Sequence, residues 1–180
     1  MAFDFHIRKS EILEDVKIII PSVHSEKRGE IWTSFSKDVF GKLLPENLQF
    51  NHDKFSSPYK NVLRGIHGDH KSWKLVSCVS GDVMQVAVDM RENSRSFLKW
   101  EAYNLGDTDH SMILLPPGFG NAFYVKSAVA TYHYKLAYIG DYIDADEQFS
   151  IAWDDPRLSI NWPVDDPILS ERDGGNNGNN

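Results

Sequence analysis

The densest group of side chains able to move protons or hold anions is the string Arg64-Gly65-Ile66-His67-Gly68-Asp69-His70, followed closely by Lys74. Two imidazoles, a guanidinium and an ammonium stand there around the start of an expected strand, and imidazole is the side chain that gains and loses a proton near neutrality. A second group follows the Pro116-Pro117-Gly118 turn: Asn121, then Tyr132-His133-Tyr134-Lys135. The third is Trp153-Asp154-Asp155-Pro156. Residue types alone leave plain structural roles open, with Asp155 capping the turn before Pro156, Tyr134 in the core and Lys74 on a solvated strand face. The chain carries no Gly-rich phosphate loop, Gly-x-Ser-x-Gly elbow or Cys-x-x-Cys pair, so nucleotide hydrolysis, acyl transfer and structural zinc lack their usual signals.

The elements that must position these groups read as strands. Val16–Ile20, Ile31–Phe35, Trp73–Val79, Val83–Asp89, Phe97–Asn104, Ser111–Leu115, Ala122–Val125 and Ala130–Ala137 are β-branched or aromatic runs bounded by Gly, Pro, Asn or Asp. Within Val83–Asp89, alternation puts Met84, Val86 and Val88 on one apolar face, and Ser80-Gly81 before it predicts a hairpin from Trp73 to Asp89. Helical signals are confined to a short segment near Ser36–Leu44, with Ser36 as its cap, and one near the C-terminus. An all-β sandwich or barrel is expected. Its 180 residues fit one domain, taken as 1–173, and the apolar-free Gly174–Asn180 stretch is expected to be an unstructured tail.

Composition narrows the partners. With 26 Asp+Glu against 19 Lys+Arg the net charge is −7, which gives no electrostatic support for nucleic-acid binding. No apolar run approaches the roughly 20 residues that span a bilayer, and the start MAFDFHIRKSEILEDV lacks the pattern of a signal peptide. The single Cys78 cannot form an intramolecular disulfide. A cytoplasmic protein without membrane or nucleic-acid partner is the expectation.

Several strings occur together in one order: Val62-Leu63-Arg64-Gly65-Ile66-His67, Lys74-Leu75-Val76, Gly81-Asp82-Val83, Val88-Asp89-Met90-Arg91, Leu115-Pro116-Pro117-Gly118-Phe119, Tyr134-Lys135, Trp153-Asp154-Asp155-Pro156 and Ile160-Asn161-Trp162-Pro163. From Arg28-Gly29 to Ile168-Leu169-Ser170-Glu171-Arg172-Asp173 the chain resembles the dTDP-4-dehydrorhamnose 3,5-epimerase family. The resemblance implies a cupin-type jelly roll that forms a homodimer and acts on nucleoside-diphosphate 4-keto sugars with neither metal nor organic cofactor. It implies that His67 is the base, Asp155 the carboxylate that orients it, Lys74 the cation facing the enolate oxygen and Tyr134 the acid on the opposite face. Arg28 and Arg64 match positions that hold the diphosphate. The dimer is expected to use the Ile31–Phe35 strand to complete a partner's sheet.

The chain departs from the family pattern at places assigned to the substrate pocket: Thr33, His52-Asp53-Lys54, Gly68-Asp69 and Asn121. Thr33, His52 and Asn121 are accordingly expected to bind substrate, Asn121 by hydrogen bonding in place of an imidazole. Small residues at Thr33, Gly68 and Asn121 are expected to leave room for a sugar ring to turn, so that both C3 and C5 invert, with inversion of C3 alone as the alternative. The strings Arg-Gly-Glu-Ile-Trp-Thr, His-Asp-Lys-Phe, Arg-Gly-Ile-His-Gly-Asp and Tyr-Lys-Leu-Ala-Tyr look similar to a branch acting on GDP-6-deoxy-4-keto-heptoses, which implies a role in capsule, lipopolysaccharide or O-antigen sugars. Competing readings are a 3,4-ketoisomerase, a cupin enzyme with metal held by His67, His70, His110 or His133, and a non-catalytic sugar-binding jelly roll.

Overall fold

The computed structural model describes residues 3–174. Its first strands are Phe5–Lys9 (β1), Lys17–Pro21 (β2), Val23–Glu26 (β3), Gly29–Trp32 (β4) and, after the one-turn helix Lys37–Phe40 (α1), Phe50–Ser56 (β5). Then come Leu63–Gly68 (β6), Trp73–Ser80 (β7), Asp82–Asp89 (β8), Trp100–Gly106 (β9) and Met112–Leu115 (β10). Phe119–Val125 (β11), Thr131–Ala137 (β12), Phe149–Ser150 (β13) and the short helix Glu171–Gly174 (α2) follow.

Two antiparallel sheets face each other, one in the order β1-β2-β10-β7-β12-β5 and the other β13-β6-β11-β8-β9, as a jelly-roll sandwich. Between them Val83, Leu105 and Phe123 of one sheet meet Val76, Ile113 and Tyr132 of the other, all buried. Both outer faces are also covered. Phe40 of α1 packs with Phe5, Phe35 and Phe50 on the outside of the six-stranded sheet. Trp153, Leu158, Ile160 and Trp162 close over Ile66, Val86 and Val88 on the outside of the five-stranded sheet. Burying one such large side chain contributes about 1.5–3 kcal/mol, so the Trp-Asp-Asp-Pro and Ile-Asn-Trp-Pro strings mark a cover for that sheet.

Most expected strands lie within a residue or two of β2, β7, β8, β10 and β12, while Ala122–Val125 covers only the last four residues of β11; β7 and β8 stand in different sheets, so the expected Trp73–Asp89 hairpin does not form. Phe97–Asn104 shifts to Trp100–Gly106, and Ile31–Phe35 overlaps β4 in two residues only. There β4 pairs with β3 alone, in a separate two-stranded ribbon. The runs at β1, β3, β5 and β6 gave no strand signal because they are polar, edge-placed or broken by glycine. The apolar face of β8 packs outward under the C-terminal cover, whereas its mixed face, with Gln85, looks between the sheets. Gly174 ends α2, and the rest of the expected tail lies outside the described residues.

One local feature of β6 decides the geometry of the cavity. Along β11, Asn121 stands opposite His67 and Phe123 opposite Arg64, so three steps of β6 are matched to two of β11. In a regular strand, residues three apart face opposite sides of the sheet; the extra residue of a bulge brings both onto one side. Arg64 and His67 therefore both line the cavity, while Ile66 packs outward into the covered core. Gly65 makes this possible. It has φ of +120°, and a Cβ there would lie 2.5 Å from the Asn121 carbonyl oxygen and 2.6 Å from the Ala122 Cβ. Gly65→Ala is expected to destabilise the fold by about 2–5 kcal/mol, combining a glycine-only backbone with overpacking against β11. Urea unfolding followed by Trp fluorescence reads this, and an unchanged midpoint would refute the dependence of the bulge on glycine.

Candidate active site

A cavity of about 550 Å³ opens between the two sheets, and His67, Lys74, Tyr134, Arg64 and Asn121 all line it. They come from different walls. His67 and Asn121 are direct cross-strand neighbours on the five-stranded sheet. Lys74 and Tyr134 are on adjacent strands of the six-stranded sheet, where Leu136 pairs with Lys74 and Tyr134 with Val76. Alternation along β7 and β12 turns Lys74, Tyr132 and Tyr134 inward and sends Trp73, His133 and Lys135 to the outer face.

The carboxylate at His67 is Asp173, not Asp155. His67 Nε2 lies 2.5 Å from Asp173 Oδ1, and the Asp173 side chain is only 3% exposed. Burial pushes the Asp173 carboxyl up, but the hydrogen bond and charge of His67, with the Ser170 hydroxyl and the Gly65 N–H, outweigh it and hold the carboxyl below its usual range. An ionised carboxylate only accepts, so Nε2 donates to it and the lone pair of the neutral ring sits on Nδ1. Asp173 reaches this place because residues Asn61 and Leu63 hold Ile168 through two backbone hydrogen bonds, 2.8 and 3.0 Å, laying the C-terminal segment beside β6. Next to it, Arg172 donates from Nε to Ser150 Oγ at 3.0 Å, and its buried Nη2 has no partner among the described residues.

Asp155 instead accepts from the Arg157 backbone N–H at 2.9 Å and from the Arg157 guanidinium at 2.7 Å, capping the turn after Trp153. Arg157 hydrogen bonding holds its carboxyl low. A carboxylate two residues before an arginine satisfies itself locally, which is the physical reason it does not serve the histidine.

Three other expected binding residues stand off the cavity. Arg28 is on the turn between β3 and β4, 79% exposed and paired with Glu26. Thr33 follows β4 and is not among the lining residues. His52 Nδ1 is 3.1 Å from the Tyr138 hydroxyl and its ring stands edge-on to Tyr142, so it buttresses a lining residue without lining the cavity. Gly68 leaves no room for a sugar either: a Cβ there would meet the Phe149 ring at 2.2 Å and the Phe119 carbonyl oxygen at 2.4 Å. Of the three small residues expected to widen the cavity, only Asn121 faces it.

Beneath Asn121 lies a buried polar chain that sequence spacing does not show. Gln85 Nε2 donates to the Val86 carbonyl at 3.0 Å and to Asn121 Oδ1 at 2.7 Å, while the Tyr132 hydroxyl donates to Gln85 Oε1. The Val86 contact fixes which way the Gln85 amide points, and this fixes Asn121 in turn. The Asn121 oxygen is spent within the protein, and its NH₂ is left as the donor for the cavity. Across the cavity, burial raises the Tyr134 phenol well above its ordinary value, although the Arg64 charge opposes this. The phenol stays protonated through the neutral range.

The four histidines of the metal-bearing alternative are dispersed: His67 on Asp173, His133 on Asp53, His110 on Glu30 and His70 against Phe149. Among the described residues no three His, Cys, Asp or Glu side chains converge as metal ligands, and no helix is long and apolar enough to cross a membrane.

Residues 10–178 match the family model described as dTDP-4-dehydrorhamnose 3,5-epimerase. The dTDP-4-dehydrorhamnose 3,5-epimerase of Escherichia coli K12 is 38% identical over 165 residues, covering 89% of this chain and 88% of the relative. The crystal structure of a Legionella pneumophila 3,5-epimerase in complex with dTDP-4-keto-L-rhamnose superposes with a TM-score of 0.85 at 35% identity, covering 94% of this chain and 90% of that one. NovW, a 4-keto-6-deoxy sugar epimerase of Streptomyces spheroides, superposes with a TM-score of 0.86 at 31% identity, covering 96% and 86%. A sandwich whose two walls bring an imidazole and a phenol to one cavity, matched along nearly its whole length, places this chain in the dTDP-4-dehydrorhamnose 3,5-epimerase family of isomerases.

Proposed function

We propose that the chain inverts C3 and C5 of a nucleoside-diphosphate 4-keto-6-deoxy sugar, with His67 as base, Tyr134 as acid and Lys74 as the cation facing the enolate. One observation carries this: a base and a protonated phenol stand on opposite walls of one cavity, with an ammonium beside the phenol. A C4 ketone acidifies its neighbouring C–H bonds. His67 Nδ1 takes the proton from one ring face, and the C–H electron pair moves into a C=C bond as the carbonyl oxygen becomes an enolate. Lys74 offsets that charge where it develops. The Tyr134 hydroxyl then delivers a proton to the same carbon from the other face, and the ketone re-forms with inverted configuration. Asp173 holds the His67 tautomer and ring orientation. Arg64 and the unspent donor of Arg172 suit the diphosphate, and the Asn121 NH₂ suits a sugar oxygen.

The relatives reported above are named for dTDP-linked or 4-keto-6-deoxy sugars, which favours a dTDP-linked hexose. The GDP-heptose reading keeps one support, the altered cavity floor at Asn121. Incubation with each 4-keto sugar nucleotide in D₂O, with NMR reading of deuterium at C3 and C5, separates the two. Label at both carbons is expected, and label at C3 alone after long incubation overturns double inversion.

Ile31, Phe55 and Val79, which are 63%, 60% and 42% exposed, line one shallow apolar hollow, and Arg28 stands on the exposed turn that leads into β4. We infer a homodimer across this apolar face, with Arg28 of one copy serving its partner's cavity. Mixing inactive Arg28→Ala and His67→Asn proteins is then expected to restore about a quarter of wild-type turnover, since only hybrid dimers hold one complete site. No restoration, or sedimentation as a monomer at micromolar concentration, would dispose of it.

Asp173→Asn is expected to lower kcat on the order of 10²–10⁴-fold, whereas Asp155→Asn changes it less than about threefold. Equal losses would return the orienting role to Asp155. Tyr134→Phe is expected to keep solvent deuterium entry into substrate while yielding no inverted product, and a normal product yield would remove the phenol from the mechanism.

A further inference from the structure

Lys74 is 8% exposed, and an ammonium so far from water is unstable unless a counter-charge stands beside it. The counter-charge is Asp69. Its Oδ2 lies 3.2 Å from Lys74 Nζ, and it is itself 4% exposed. The other oxygen, Oδ1, accepts backbone N–H bonds from Lys71 at 2.9 Å and Ser72 at 2.5 Å, so the carboxylate is clamped by the turn between β6 and β7. His67 and Asp69 are thus carried by the same short stretch of chain, with the base and the partner of the cation two residues apart.

We propose that Asp69 is a positioning residue that keeps the Lys74 ammonium charged and aimed into the cavity, so that the cation facing the enolate depends on a carboxylate that never touches substrate. This rests on the role given to Lys74 above. The other charged or titratable groups lining the cavity are His67 and Arg64 from β6, Tyr134 from β12, Lys54 from β5, Tyr142 and Asp144 from the wall after β12, and Arg172 and Asp173 from α2. Among those acting on Lys74, burial is the largest influence and pushes its amine down; Asp69 opposes this, and the Arg172 charge adds to the lowering. For Asp69, burial raises the carboxyl, but the Lys74 charge and the two backbone N–H groups hold it low. Lysine is charged below its pKa, so losing the Asp69 charge removes the cation first at the alkaline end of the pH range.

The test is Asp69→Asn, whose amide oxygen can still accept the two backbone N–H bonds while the charge is gone. Lys74 reactivity toward acetic anhydride, read by mass spectrometry across pH, reports its protonation without reference to catalysis. The expected result is that the reactivity midpoint moves to lower pH and that turnover at pH 8 falls on the order of tenfold, with recovery as the pH is lowered. Asp69→Glu is expected to return part of both. An unchanged Lys74 midpoint in Asp69→Asn overturns the proposal and leaves Asp69 as a turn cap only. A shifted midpoint with unchanged turnover upholds the ion pair and instead overturns the role of Lys74 in the reaction. Should Asp69→Asn lose its cooperative melt, Asp69→Ser, which also caps the turn without charge, takes its place under the same outcomes.

Discussion

The absence of a side chain at Gly65 is the constraint on which the rest of the cavity depends. Only an unsubstituted α-carbon fits against the β11 backbone at that point, and only with it can β6 carry one residue more than its partner. The extra residue turns Arg64 and His67 to the same side while Ile66 anchors the strand in the outer core. A strand of strict alternation would have to bury one of the two polar side chains under the tryptophans of the C-terminal cover. The Arg-Gly-Ile-His string is thus a packing solution before it is a chemical one.

The rest of the site divides between the sheets in a way that suits proton transfer across a ring. Each wall is stiffened by a different means. The five-stranded wall rests on the buried Gln85–Asn121–Tyr132 chain, in which the oriented amides and the phenol each find a partner. The six-stranded wall holds its one buried cation against a carboxylate fixed by backbone N–H groups. Interior groups held by such partners have little freedom to reorganise, and preorganised dipoles and charges are what stabilise a developing enolate.

Much of this was legible in the sequence. Alternation and turn residues mark the central strands, whereas His67, Lys74 and Tyr134 are singled out by the family resemblance, and the fold brings them to one cavity. What local pattern could not show is pairing over distance. Asp173 meets His67 from 106 residues away, whereas Asp155 sits in a Trp-Asp-Asp-Pro string that draws the eye but satisfies its charge two residues on. Polar edge strands such as β5 bury too little to leave a periodic signal. Gly68 looked like vacated space, yet the Phe149 ring from a distant strand fills it. In each case the misleading cue was local and the correcting contact was non-local.

The C-terminal segment has a further consequence. Both sheets are hydrogen-bonded without it, and it lies as an outer layer on β6, joined by a few backbone bonds and by the packing of its tryptophans. Layers of this kind open at lower free energy than the sheets beneath them. Lifting the segment would withdraw Asp173 and Arg172 and open that side of the cavity, leaving the two sheets in place and the histidine free to adopt either tautomer. Heat or mild denaturant would then silence the enzyme reversibly while its β-structure stayed intact, so the loss of function and the loss of fold would be two separate transitions.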